Sequence, residues 1–175
     1  MKLLFRGLLL ISSLLVIFLI AGMMLPEKIQ IESNVVINAP IEKIYSQTTD
    51  YKAMAKWYSW SVKDKNIEYT YEGETTGKGA IMHWRSQVDE IGVGSQKIIE
   101  ADKYKTVKNI IAISGMPRAY SIFKINELDK GIELTWLFDM RTGYNIPARI
   151  KALSMKDDIK EHYSQSLQRL KVAME

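Results

Sequence analysis

Hydrophobic side chains recur along this chain with three different periods, and each period predicts a different element. Between Arg6 and Glu27 the run Gly7 to Pro26 holds 20 uncharged residues, nearly all aliphatic, aromatic or small. As an α-helix it would reach ~30 Å, the thickness of a bilayer's hydrocarbon core. From Ile29 the period becomes two: Ile29, Ile31, Ser33, Val35 and Ile37 alternate with Gln30, Glu32, Asn34, Val36 and Asn38. That alternation predicts a half-buried strand. Asn38-Ala39-Pro40 ends it, and Pro40 suits the first turn of a helix whose apolar face is Ile41, Ile44, Tyr45 and Thr48. Asp50 is placed to cap a second short helix running through Met54 to about Trp57.

The middle of the chain returns to period two. Ile67, Tyr69 and Tyr71 alternate with charged and polar residues, and Met82 and Trp84 oppose His83 and Arg85. Further strands are predicted over Val93–Ala101, Thr106–Ile113, Ala119–Glu127 and Ile132–Met140, with a hairpin turn at Asp129-Lys130-Gly131. Short turns without intervening helices call for an antiparallel meander. After Pro147 the period lengthens again: Ile159, Tyr163, Leu167, Leu170 and Met174 make the buried stripe of one long amphipathic helix. The order is strand, two short helices, six strands, long helix, an α+β layout. The expected division is a membrane anchor over 1–28 and one domain over 29–175.

Charge and composition narrow the function. The chain has 24 Lys and Arg against 20 Asp and Glu; without Lys2 and Arg6 the balance is 22 against 20. A near-neutral domain carries no nucleic-acid footprint. The absence of cysteine excludes disulfides, thiolate zinc sites and cysteine nucleophiles, and the two histidines exclude a His-rich metal site. No metal or cofactor is expected. Gly77-Lys78-Gly79 and Gly92-Val93-Gly94 read as strand turns with no helix after them, so they do not cradle phosphate.

The N-terminal run has two readings. A cleaved signal peptide shares its basic start, but the run exceeds the usual signal core, and Ile20 to Pro26 lacks a small-x-small cleavage site. An uncleaved single-pass anchor in the cell membrane is the expectation. Lys2 and Arg6 before the span favour a cytoplasmic N-terminus. The domain is then expected to be periplasmic or extracellular.

At this point the sequence resembles a family. The order of elements is similar to the helix-grip fold of the START-like (SRPBCC) superfamily, a curved antiparallel sheet wrapped round a long C-terminal helix. Val36-Ile37-Asn38-Ala39-Pro40-Ile41-Glu42-Lys43-Ile44-Tyr45 resembles the family's opening strand and helix. Lys56-Trp57-Tyr58-Ser59-Trp60 resembles its aromatic cluster, and Tyr71-Glu72-Gly73 with Gly77-Lys78-Gly79-Ala80 its following hairpin. Ala55 stands where the family often has Pro. The nearest subgroup is that of the membrane-anchored polyketide cyclase/dehydrase-like proteins of bacteria. The resemblance implies an apolar ligand held between sheet and long helix, with cyclisation as the chemistry of some members.

Candidate residues follow from the inward-facing positions. Tyr69, Tyr71, Met82, Trp84, Trp136, Phe138, Met155 and Ile159 are expected either to fill a plain core or to line the ligand cavity. Trp57, Tyr58 and Trp60 are expected to cap one end of the sheet, or else to form a pocket entrance. Asp157, Asp158, Glu161 and His162 are compact enough for a metal pair at i, i+4, but interleaved Lys156 and Lys160 make a solvated helix face the expectation. His83 is expected at the surface. No catalytic residue is assigned. The function expected is a membrane-tethered binding protein for a hydrophobic small molecule or lipid. The alternatives are a cyclase or dehydratase acting in the same cavity, and an interaction module like the related activators of chaperone ATPases.

Overall fold

The computed structural model describes residues 2–175, with side chains from Leu4 onward, so the Lys2 charge used above for orientation lies outside the described side chains. Helix α1 (Lys2–Met24) leads directly into strand β1 (Lys28–Ile37). Three short helices follow: α2 (Ile41–Thr49), α3 (Tyr51–Trp57) and α4 (Trp60–Lys63). Six strands come next: β2 (Glu68–Gly73), β3 (Ala80–Arg85), β4 (Val93–Asp102), β5 (Thr106–Ile113), β6 (Ala119–Leu128) and β7 (Gly131–Arg141). Helices α5 (Ile146–Ser154) and α6 (Lys156–Met174) close the chain.

The seven strands form one antiparallel sheet in the order β1-β7-β6-β5-β4-β3-β2. The first two strands in sequence are therefore its two edges, and α2–α4 carry the chain from one edge to the other. A register shift between Ile98 and Glu100 bends β4, as bulges do. α6 lies across the concave face, with Ile159, Tyr163, Leu167 and Leu170 buried against it. This is the helix-grip arrangement.

Local chemistry explains most boundaries. The Asp50 carboxylate accepts from the Lys52 and Ala53 backbone N–H groups, at 2.8 and 3.2 Å, and starts α3. Asn145 does the same for α5 through Ala148, at 3.0 Å. Two departures from the sequence expectation stand out. There is a third short helix, α4, and the long terminal helix is broken at Met155. There the Ser154 hydroxyl donates to the Lys151 carbonyl at 2.8 Å, competing with the helical bond. The new N-terminus it creates is favoured by Asp157 and Asp158 in the first turn.

Leu4–Met24, with a mean hydropathy of 2.6, is long and apolar enough to cross a membrane, a property that secretory signals share. It does not pack into the core: Phe5, Leu9, Val16 and Phe18 are among its exposed side chains. Its last turn, however, meets α5. The buried Arg149 donates from Nη1 to the carbonyls of Met23 and Leu25, both at 2.8 Å, and of Gly22 at 3.4 Å, and from Nε to Gly143 at 2.7 Å. Those of Gly22, Met23 and Leu25 lie at the end of α1, where helical partners run out. Gly22 is needed for the approach, because a Cβ there would stand 2.5 Å from Cγ2 of Ile146.

Candidate functional site

The concave face holds one continuous aromatic assembly. Trp136 of β7 is 1% exposed and stacks on Tyr163 of α6, with centroids 3.7 Å apart. Phe123 stacks on its indole at 4.7 Å and Tyr58 at 5.5 Å. The Trp136 indole N–H donates to Ser121 Oγ at 2.7 Å. The Tyr163 hydroxyl comes up against the same Ser121–Trp136 pair but completes no hydrogen bond of its own. Gln96 Nε2 donates to the Tyr58 hydroxyl at 3.0 Å. Burial pushes the Tyr58 and Tyr163 hydroxyls well above the usual phenol range, and Tyr69 up to about 12, so all three stay protonated at neutral pH.

Beside this assembly, between β3, β4, β5, β7 and α6, lies a small apolar cavity. Tyr69, Met82, Trp84, Trp136, Phe138, Met155 and Ile159 all line it, joined by Ile91, Gln96, Ile111, Ile113 and His162. Its volume is about 30 Å³, room for a water or two. Pairing of Trp84 with Gly94, and of Gly94 with Ile113, puts the wall of the cavity in one row across three strands. Gly94 is required there, since a Cβ would run into Cζ2 of Trp84 and lie 2.7 Å from the Ala112 carbonyl oxygen. Tyr71 does not join the other seven. It shares the Tyr69 face of edge strand β2, but lies further along it, where it is 36% exposed beside Tyr51 and Lys52 of α3.

Two further expectations are corrected. Trp57 and Tyr58 do not cap a sheet end: both are buried in the core, where Trp57 packs edge-on to Trp136 at 5.7 Å. His162 is not on a solvated face. It is 4% exposed, its Nδ1 lies 2.6 Å from Ser59 Oγ and 3.3 Å from Ser166 Oγ, and its ring stacks on Trp60 at 4.0 Å. Its burial had a trace in the sequence. Positions 159, 162, 163, 166, 167 and 170 together make the three-and-four spacing of a wide helical stripe, and Ser166 is the small polar partner one turn away. Asp157, Asp158 and Glu161 are exposed as expected. The His83 side chain is 42% exposed and lies 3.5 Å from Glu72. Among the described residues no group of three His, Asp or Glu could hold a metal ion.

Outside the Trp60–His162 stack lies a second, open hollow of about 600 Å³, lined by polar residues of α4 and α6 that include Lys63, Glu161, Gln165 and Arg169. The stacked rings border both spaces. They form the partition between a polar groove and an apolar cavity.

Burial lowers the His162 pKa from 6.5 to about 3. The sign of the consequence is fixed by linkage. Between those two values the unfolded chain takes up the proton and the folded chain does not, so stability is complete above pH 6.5 and falls as the pH drops towards 3. Near pH 5 the loss from this group is ~2 kcal/mol. His162→Asn keeps an acceptor for Ser59 without the titration. Denaturant midpoints measured between pH 7 and 5 should fall more steeply for the parent chain than for the variant; parallel profiles would show that His162 protonates freely in the folded protein.

A sheet gripping a helix, with an apolar cavity between them, defines a class of ligand-binding domain, the SRPBCC or START-like superfamily. Within it, the chain belongs to the family described as polyketide cyclase/dehydrase and lipid transport, whose model matches residues 28–175. Solved structures show the same fold. Ara h 8.0201 is 15% identical over 84% of this chain and 97% of its own, with a TM-score of 0.62. Protein CV1439 from Chromobacterium violaceum is 16% identical over 85% and 98%, with a TM-score of 0.59. The Aha1 dimer from Colwellia psychrerythraea is 19% identical over 84% and 96%, with a TM-score of 0.54. Comparison with curated protein sequences gives no match.

Proposed function

We propose that this is a membrane-tethered binding protein, residues 1–28 its anchor and 29–175 its binding domain, for a hydrophobic small molecule or lipid held between the sheet and α6. The observation that carries the reading is the cavity. Seven inward side chains from three strands, the α5–α6 break and α6 converge on one apolar space. The family's description, which includes lipid transport, agrees with it.

The space is far smaller than the ~300–1,000 Å³ usual for a ligand site. Binding therefore requires it to open, and two parts of its wall are the places where it would part. Met155 sits in the break between α5 and α6, and Met adapts its shape at low cost. Trp60 belongs to a four-residue helix and is held over the cavity by its stack on His162. Parting these walls joins the cavity to the adjoining groove. The tether is supported by Arg149, whose buried guanidinium would lose three of its carbonyl partners if the N-terminal helix were removed.

Catalysis has less support. A catalytic base works best with a pKa near the operating pH, and the buried base bordering this cavity, His162, is held at about 3.

A fluorescent fatty acid titrated into the full-length protein tests the reading. Saturable binding is expected. Met155→Trp, which fills the space at the α5–α6 break, should weaken it by about tenfold or more, a loss of ~1.4 kcal/mol. No saturable binding, or equal binding by the variant, would count against the cavity as the site.

A further inference from the structure

The joint between α1 and the domain fixes which end of the sheet lies nearest a membrane. Only Leu25, Pro26 and Glu27 separate α1 from β1. Lys28, the first residue of β1, pairs with Arg141, the last of β7, and the Thr142 N–H donates to the Glu27 carbonyl at 2.8 Å. Arg149 ties α5 to the same point. The β5–β6 turn joins this end through Ala119, which pairs with Met140. Lys151 of α5 reaches its Ser114 carbonyl at 3.5 Å. One face is thus built from residues 114–118, residues 142–145 and α5, around the point where α1 leaves.

That face combines exposed cations with exposed apolar side chains. Arg118, Arg141 and Lys151 are exposed and appear in no ion pair among the described residues. The acidic groups close by are engaged: Asp139 by Lys28 at 3.2 Å, and Glu27 by Arg149 at 3.9 Å. Asp89 and Glu90, on the β3–β4 loop, stand at this same end beside the β5–β6 turn, and Glu90 is engaged by Lys63 at 3.9 Å. Tyr144 is 84% exposed and Ile150 45%. Tyr suits the headgroup layer, where one end of the ring is apolar and the other wet.

We propose that this face docks on the surface of an anionic bilayer, with Arg118, Arg141 and Lys151 meeting lipid headgroups and Tyr144 and Ile150 entering the interface. The proposal rests on α1 being a membrane anchor and adds the orientation of the domain. The cavity row Trp84–Gly94–Ile113 and Met155, at the α5–α6 break, lie toward this same end of the sheet. Docking therefore turns the opening part of the wall toward the lipid, and an apolar ligand can pass between bilayer and cavity with little exposure to water.

The chain has no cysteine, so single cysteines can carry spin labels in the full-length protein. Collision rates with oxygen and with a water-soluble nickel chelate then report depth. In vesicles of mixed phosphatidylcholine and phosphatidylglycerol, labels at Tyr144→Cys and Ile150→Cys should favour oxygen. A label at Asp129→Cys, at the far end of the sheet, should favour nickel. Each change of Arg118, Arg141 or Lys151 to Gln should shift the docked-to-undocked ratio by about fivefold. Pure phosphatidylcholine, or high salt, should weaken docking. A label at Leu14→Cys separates the two ideas. If it reads the bilayer interior while Tyr144→Cys reads water in both kinds of vesicle, the docking face is wrong and the tether stands. If Leu14→Cys also reads water, the tether fails and the docking face with it.

Discussion

Trp136→Ala should destabilise the protein by ~3–5 kcal/mol, the usual cost of deleting a large aromatic side chain from a packed core. Trp136 touches the cavity along one side, and a residue that merely bordered a void would cost less. Its other sides decide the matter: Tyr163 stacks on it at 3.7 Å, Phe123 at 4.7 Å and Tyr58 at 5.5 Å, and its N–H is bonded to Ser121. The substitution removes the common neighbour of β6, α6 and the segment after α3. Given ordinary stabilities of ~5–15 kcal/mol, the loss is a large share of the total. Trp136→Phe keeps a ring but no donor, and should fall between. Urea unfolding followed by circular dichroism measures both. A change below ~1 kcal/mol for the alanine variant would mean that the aromatic assembly is looser than its geometry indicates.

The second large effect is expected at the joint. Arg149→Met should cost roughly 3 kcal/mol, because it leaves the buried carbonyl of Gly22 and the part-buried carbonyls of Met23, Leu25 and Gly143 with one partner fewer each. Arg149→Lys should recover only part of this, since a single ammonium cannot span the carbonyls that a planar guanidinium reaches together. Gly22→Val attacks the same joint from the other side by driving a branched side chain into Ile146. Both should expose the stretch 24–28 to protease, while Asp129→Ala, at the opposite end, should not. Equal cleavage of all three would show that α1 is not held by the domain.

Most of the fold was legible because local signals agreed with the global pattern. Asp50 caps the helix it was placed to cap, and Asp129-Lys130-Gly131 turns between Leu128 and Gly131 as a hairpin. The alternation from Ile29 to Ile37 matches the buried side of β1 residue by residue. What sequence reasoning missed were facts about cover. Tyr69 and Tyr71 obey the same alternation, but only Tyr69 is covered, its hydroxyl meeting Ser61 of α4 at 3.0 Å. His162 looked solvated because Lys156 and Lys160 are interleaved with the carboxylates around it, and a polar side chain is normally assigned to water. Its partners Ser59 and Ser166 become visible only once α6 lies across the sheet. The Arg149 joint was equally silent. An arginine on a short amphipathic helix gives no sign that it will cap another helix more than a hundred residues away. The size of the cavity also lies beyond pattern, because it is a small remainder between side chains whose faces alone the sequence reveals.

The central claim, that the space between sheet and α6 takes up an apolar ligand, is tested most directly by native mass spectrometry of the full-length protein extracted from its own membranes. The account predicts a second species, heavier by the mass of one discrete lipid or other apolar molecule, which disappears in the Met155→Trp variant. A single unliganded mass that stays unchanged after incubation with excess fatty acid would contradict it.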